Sequence, residues 1–372
     1  MTPAINERVP DIIPTSRGST LNIYFYANQV YQFSFSRPIY ERVGGIFVVP
    51  KFRKVLRFKH RMRNGTAFAD IKTFLNTPPV IRCDPDKIPG PNGTIISHTV
   101  TRFASPGGPC TTIFQGHGTG DRKYGGNLDN LRAFDYHFLS GPKHLKKLQD
   151  SQVSIPEERL VSIGNPRFDA YVKGEIDRDI CMDNLGIVDR DRKNILYAPT
   201  WQKGKGTLHQ LVYRFCRELT GEFNLIVRPH HFVSRSIPKL KAWAAINGIK
   251  HVYFSNPNDL LRHDTMSDFA VSDLLISDTS SIQYEYLITG KPMIVAELGP
   301  VDLHKMPTEM DVRSITQVYD GSPRANILNM IVDNLASPHT EACRQLLQNC
   351  FYFNDGHSTD RAVKFVTDLQ AA

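Results

Sequence analysis

Short apolar runs recur along the 372-residue chain, and each stops at a Gly, Pro or polar residue before a helically spaced stretch begins. This alternation limits the fold more than any other feature. A run of a few apolar residues ended by a turn signal reads as a strand buried on both faces. Such strands alternating with amphipathic helices read as α/β architecture with mostly parallel sheets. In the first half, strands are expected at residues 21–27, 45–50, 93–98, 110–116, 135–139 and 159–163, with helices at 29–43 and 141–150. The rhythm restarts with strands at 194–198, 223–227, 252–254, 274–276 and 293–295, and helices at 208–220 and 237–247. The segment 174–192 is charged and poor in β-formers, and reads as a linker with one short helix.

The expected organisation is therefore a first Rossmann-like lobe over residues 1–174, a linker at 175–192, and a second Rossmann-like lobe at 193–350. Residues 351–372 read as a helix returning towards the first lobe. The length suits two domains of about 150 residues each, and 41% hydrophobic residues let each lobe build a core. Two α/β units joined by one linker hold a ligand between them, beyond the carboxyl ends of the strands. Residues that directly follow strands are the ones to inspect.

The formal net charge of +8 calls for an anionic partner. Charge alone leaves nucleotide, lipid phosphate, anionic polymer and nucleic acid open. The six cysteines form no C-x-x-C pair and show no zinc spacing with His, so they read as reduced thiols and favour the cytoplasm. Neither an apolar signal core nor an apolar run long enough for a membrane span is present. Asn64-Gly65-Thr66 and Asn92-Gly93-Thr94 read as turns rather than glycosylation sites.

Four strand ends carry chemistry. Gly116-His117-Gly118-Thr119-Gly120 follows one expected strand. Its glycines let backbone approach a ligand, and His117 suits a general base because an imidazole titrates near neutrality. The plain alternative is a Gly-rich turn with an incidental His. Arg228-Pro229-His230-His231 ends another. Arg228 offers a fork of donors to phosphate oxygens, and His230 can donate to a leaving phosphate; the alternative is a basic solvated loop. Ser277-Asp278-Thr279-Ser280-Ser281 precedes an expected helix at 282–289, so its hydroxyls can cap the helix and its amides can bind an anion. Glu285 lies one turn further on and can accept from ribose hydroxyls, or the pair is a purely local cap. Ala198-Pro199-Thr200-Trp201 offers Thr200 and Trp201 to a phosphate or base, with Trp201 equally readable as a packing anchor. Gly164-Asn165-Pro166-Arg167-Phe168-Asp169 is a turn by composition. The stretch 51–63 contains no acid, and Phe52, Val55, Leu56 and Met62 line one stripe if it is helical; such a segment suits an anionic bilayer surface or a solvated face.

The ordered set His-Gly-Thr, Gly-x-Pro-Arg-x-Asp, Tyr-Ala-Pro-Thr-Trp, Arg-x-His, Asp-x-Ser-Ser, then Asp355-Gly356 and Arg361, resembles the CDP-glycerol glycerophosphotransferase family of teichoic-acid and capsular polymer enzymes. The resemblance runs from about His117 to Arg361. It implies a GT-B fold and transfer of glycerol phosphate from CDP-glycerol, or a related CDP-polyol, to a hydroxyl of a polymer or lipid-linked acceptor. It implies His117 as the base, with Gly118, Thr119 and Arg122 in an acceptor loop. Arg228 and His230 would meet the pyrophosphate. Thr200, Asp278, Thr279, Ser280, Ser281 and Glu285 would hold the donor. No tightly bound cofactor or metal is implied and Mg2+ is optional. No nucleic-acid partner is expected, and the location is cytoplasmic with an optional peripheral attachment to the inner face of the plasma membrane. Two departures stand out. Gly120 replaces a common Pro and is expected to loosen the acceptor loop, and His231 replaces another Pro and adds a titratable group to the cleft. The competing readings are a sugar-nucleotide enzyme of the same fold, a glycosyltransferase or a UDP-GlcNAc 2-epimerase-like protein, and a non-catalytic binder of anionic polymer.

Overall fold

A strand whose residues are apolar in both phases must be covered on both faces, and parallel sheets flanked by helices provide that cover. A computed structural model describes residues 22–61, 79–88, 93–103, 110–118, 120–121, 124, 126–201, 206–300 and 303–371. It contains strands β1 (Ile23–Tyr26), β2 (Ile46–Val49), β3 (Val80–Arg82), β4 (Thr94–Ser97), β5 (Thr111–Phe114), β6 (Tyr136–Leu139) and β7 (Leu160–Ser162). These form one parallel sheet in the order β3-β2-β1-β4-β5-β6-β7. Strands β8 (Asn194–Ala198), β9 (Asn224–Val227), β10 (Val252–Phe254), β11 (Leu274–Ser277), β12 (Met293–Ala296) and β13 (Gln317–Tyr319) form the second, in the order β10-β9-β8-β11-β12-β13. It is also parallel throughout.

β1, β4, β8 and β11 are buried along their whole length, which accounts for their unbroken apolar runs. Strands β3 and β13 lie at sheet edges, are three residues long, and carry exposed Arg82 and Gln317. Their brevity and mixed exposure leave no periodic signal, so they were not expected. Strand order reverses once in each sheet, between β1 and β4 and between β8 and β11. Connections leave such a pair towards opposite faces, and a crevice opens at its carboxyl ends.

The first core stacks Phe25 on Phe47 and sets Phe33 edge-on to Phe58. In the second, the helix Leu208–Leu219 buries Leu211, Val212, Phe215 and Leu219 beside Leu225 and Val227. Each such side chain contributes about 1.5–3 kcal/mol when fully buried. The segment read as a linker holds the helix Arg178–Leu185, started by the Asp177 side chain and stopped at left-handed Gly186. Its Cys181, Met182 and Ile187 pack into the core that contains Phe269, Val271 and Leu275. The helix Ser358–Ala371 lies against the first lobe, where Ala362 and Val366 join the core and Phe365 meets Tyr136 and Phe138 edge-on.

Candidate active site in the interlobe cleft

The carboxyl ends of both sheets face a cleft of about 650 Å³ lined by residues of both lobes. That is the size of a small-molecule site. On the first-lobe wall, β4 runs into His98 and β5 into Gly116-His117. The His98 ring is buried; its Nδ1–H donates to the Gly116 carbonyl at 2.7 Å, and its Nε2 accepts from the Ser36 hydroxyl. Burial lowers its pKa to about 4, so it is neutral. The His98 carbonyl in turn accepts from His117 Nδ1 at 2.5 Å. The two strand-end loops are therefore stitched twice, and His117 is held in the tautomer whose Nε2 accepts a proton. The His117 ring opens to the cleft, yet both lobes crowd it. That desolvation lowers its pKa, against the raising effect of the His98 carbonyl.

The second-lobe wall meets this loop directly. A Cβ on Gly118, which has φ +111°, would lie 2.9 Å from Ser281 Oγ, and one on Gly120 would lie 3.0 Å from the Ser281 Cα. Gly120 is thus a point of close backbone approach, and the loosening expected of it is not what its position provides. Thr279, Ser280 and Ser281 are half-buried and line the cleft. Ser281 makes no cap with its side chain, so its hydroxyl is not spent on the helix Ile282–Tyr286 that follows.

Three residues expected to hold the donor are engaged by protein partners, although Glu285 and Arg228 also line the cleft. Asp278 is buried, and its carboxylate accepts from the Thr200 amide at 2.8 Å and from the Thr207 amide and hydroxyl at 2.9 and 3.1 Å. It pins the loop that carries Thr200 instead of touching the cleft. Glu285 is buried against Arg167 at 2.6 Å; burial raises its pKa beyond what Arg167 offsets. Arg228 lines the cleft, but its Nη1 donates to Ser255, the His263 carbonyl and Asp268 at 2.7–2.8 Å. Thr200 and His230 do line the cleft. His230 Nδ1 accepts from the Phe232 amide at 3.3 Å, an arrangement that places the proton on Nε2. Trp201 packs edge-on to Phe232 and lies nearly parallel to His230. His231 stacks on Tyr31 of the first lobe, and burial pushes its pKa far down, so the extra group is a neutral ring.

Sequence reasoning missed the residues that tie the lobes together. Arg167 stacks on Phe35 and pairs with Glu285 and, at 3.4 Å, with Asp264. Two residues on, Asp169 accepts from the Ser358 and Thr359 amides and so caps the last helix. The turn Gly164–Asp169 is thus a junction of three elements. Asp121 pairs with buried Lys143 at 2.5 Å and accepts from the Tyr284 hydroxyl of the second lobe at 2.8 Å. The only sequence signal for these residues was the Gly-x-Pro-Arg-x-Asp motif around Arg167. Thr119 and Arg122 lie outside the described residues, as do Met62 and Arg63. In the helix Phe52–Arg61, Val55 and Phe58 are buried in the core, so the stripe expected through Val55 is in fact Phe52 and Leu56, both exposed. Among the described residues no group of three or more His, Cys, Asp or Glu could hold a metal ion.

The sequence profile of the family described as CDP-Glycerol:Poly(glycerophosphate) glycerophosphotransferase matches residues 115–368. The teichoic acid ribitol-phosphate polymerase TarK of Staphylococcus aureus is 28% identical over 259 residues, covering 65% of this chain and 47% of that protein. The teichoic acid glycerol-phosphate primase of Bacillus spizizenii is 26% identical over 208 residues, covering 55% of this chain and 50% of that protein. The chain spans about half the length of these curated relatives. Among solved structures, the wall teichoic acid polymerase TagF matches with a TM-score of 0.61 at 16% identity, covering 94% of this chain and 89% of that chain. The UDP-GlcNAc 2-epimerase from Neisseria meningitidis matches at 0.56 with 14% identity, covering 94% and 99%. At such identities the likeness concerns the fold, which is GT-B-like.

Proposed function

The chain belongs to the CDP-glycerol:poly(glycerophosphate) glycerophosphotransferase family, and from that premise we propose that it moves glycerol phosphate, or a related polyol phosphate, from a CDP-activated donor to a hydroxyl of a growing surface polymer or its lipid-linked start. The observation that carries this reading is the contact of the His117 loop with Ser281. It sets a proton acceptor on one lobe directly beside hydroxyls and amides on the other.

In this reading His117 Nε2 takes the proton of the acceptor hydroxyl. The freed oxygen pair forms a bond to the phosphorus that carries the polyol. The bond from that phosphorus to the bridging oxygen breaks, and its electrons leave on CMP. Nε2–H of His230 donates to the departing phosphate. Thr279, Ser280 and Ser281 hold the phosphoryl oxygens, and Arg228 contributes positive potential from within the wall. Catalysis of this kind is positioning and charge neutralisation. An Mg2+ ion is an optional companion of the donor pyrophosphate.

Relatives with glycerol-phosphate and ribitol-phosphate names both match, so the test uses a panel. Purified protein with CDP-glycerol, CDP-ribitol and UDP-sugars, with and without a polyol-phosphate acceptor, should release CMP only from a CDP-polyol. His117→Ala should leave the fold intact and lower release at least about a hundredfold, the scale of losing a general base. UDP release would favour the sugar-nucleotide reading. Activity within a few-fold of the unaltered protein would remove His117 from the mechanism.

The second element of the proposal is location. Among the described residues no helix is long and apolar enough to cross a membrane. Exposed Phe52 and Leu56 sit among Lys51, Arg53 and Arg57, a mixture that suits the anionic inner face of the plasma membrane as a peripheral contact.

A further inference from the structure

The helix Pro142–Asp150 turns three basic side chains inward: Lys143, His144 and Lys147 are all buried. Lys143 is neutralised by Asp121 at 2.5 Å and lies 3.7 Å from the Tyr284 ring centroid. His144 is neutral, its pKa lowered to about 3 by burial. Lys147 is different. The residue is 6% exposed and lines the cleft, and its ammonium donates to the Gly120 carbonyl at 3.0 Å with the Tyr124 ring 4.6 Å away. Among the described residues it forms no ion pair with a carboxylate. Asp121, the one acid of the loop 116–127, is committed to Lys143 and Tyr284.

A buried ammonium without a counterion is costly, and the cost disappears when an anion enters. Burial and the neighbouring Lys143 lower the Lys147 pKa to about 8, the direction expected of a cation awaiting its partner. The donor side has the hydroxyls of Thr279, Ser280 and Ser281 on the second lobe, whereas Lys147 stands on the first lobe with His117. The loop also stands between the two sites. Gly120 turns its carbonyl to Lys147, while its Cα side packs on Ser281.

We propose that Lys147 is a phosphate-binding residue on the acceptor side of the cleft, pairing with a phosphodiester of the acceptor next to the hydroxyl that His117 deprotonates. The inference rests on the transferase reading for the identity of the anion, but not for the existence of the subsite. It implies that the acceptor carries a phosphate beside its reactive hydroxyl, so that a neutral polyol is a poor acceptor.

The test is binding, so that it does not depend on turnover. Calorimetry or NMR titration of the unaltered protein, Lys147→Gln and Lys147→Arg is run with sn-glycerol 3-phosphate, glycerol and CMP. Lys147→Gln should weaken glycerol 3-phosphate at least about tenfold, the scale of a charge-assisted hydrogen bond. CMP affinity should stay unchanged, and Lys147→Arg should keep most of the binding. Unchanged glycerol 3-phosphate affinity would overturn the subsite, and an equal loss for CMP would reassign the lysine to the donor. If Lys147→Gln fails to fold, acetylation of Lys147 in the unaltered protein, followed by peptide mass spectrometry, reads the same contact. Protection by glycerol 3-phosphate but not by glycerol or CMP supports the proposal, and labelling rates that ignore glycerol 3-phosphate refute it. Loss of CMP release in the donor panel, with this binding intact, would sink the transferase reading alone.

Discussion

At the first-lobe wall the strand ends are knitted by imidazoles, with His98 bonded to the Gly116 carbonyl and His117 to the His98 carbonyl. At the second-lobe wall the corresponding work falls to buried carboxylates: Asp278 holds the Thr200 loop, Asp268 holds Arg228, and Glu285 with Asp264 holds Arg167. The strand order around the reversal is the same in both sheets. On the first wall buried His98 stays neutral and serves as a brace, while His117, its pKa also lowered by desolvation, opens to the cleft with Nε2 as the proton acceptor. A wall of arginine–carboxylate pairs keeps its charge and geometry across a wide pH range. The difference fits acid–base chemistry on the first wall and fixed positioning on the second.

The largest expected effect strikes the second wall. Arg167→Met would leave buried Glu285 and half-buried Asp264 without their cation, and breaking such a buried pair costs about 3–5 kcal/mol. Urea unfolding should show the loss, and Arg167→Met combined with Glu285→Gln should recover part of it. Arg228→Ala strands Asp268 in the same way, so its weaker donor binding is to be read only beside its stability. If Arg167→Met unfolds like the unaltered protein, the second wall is not held by this pair.

Acid should strike the first lobe hardest, since it holds three such histidines, and the second lobe less, where burial likewise keeps His231 neutral. Burial lowers the pKa of His98 and His137 from 6.5 to about 4, and that of His144 to about 3. Between these values and 6.5 the unfolded chain binds more protons than the folded one. Stability is therefore full above pH 6.5 and falls as pH drops towards 4, by a few kcal/mol for each of these histidines at about 1.36 kcal/mol per unit. Glu285 has the opposite sign: its pKa is raised, so its contribution is present at low pH and lost as pH rises through the folded value. Hydrogen exchange at matched intrinsic rates should show β1–β7 loosening before β8–β13 on acidification. Simultaneous loosening would erase the contrast between the walls.

A smaller effect tests the contact between them. Ser281→Ala removes a hydroxyl that faces the Gly118 backbone and the cleft. It should weaken CMP or CDP-glycerol by about tenfold at most, with little change in stability, since one neutral hydrogen bond contributes about 0.5–1.5 kcal/mol. The smallest effect per residue concerns neither wall. Replacing Lys51, Arg53, Lys54 and Arg57 with Gln should reduce binding to anionic liposomes at low salt by about 1 kcal/mol per charge, with turnover on a short soluble acceptor nearly unchanged. A collapse of that turnover would mean that the helix Phe52–Arg61 belongs to the cleft.

Much of the architecture was legible because apolar runs and their turn signals are local. β1, β4 and β8 and the helix Leu208–Leu219 fall within the expected stretches, and β11 runs one residue beyond its own. His117, Arg228, His230 and Ser281 were visible because they follow strands, where α/β proteins place ligands. What Asp278 and Glu285 pair with was not legible. An acid beside a glycine or hydroxyl cluster looks the same in sequence whether it faces a ligand or is turned inward onto an amide or an arginine.

The sequence by itself determined the alternation of strands and helices, the positions of the motif loops and the family, since these depend on neighbours a few residues apart. Only the tertiary structure decided which polar groups are spent and which remain for a ligand. His98 acts on residues 116 and 117, Arg167 on residue 285, and Asp121 on residues 143 and 284. The physical reason is that burial and pairing are properties of surfaces brought together from distant parts of the chain. Single polar residues so far apart carry no periodicity, so what Lys147 lacks becomes visible only after both lobes have closed around it.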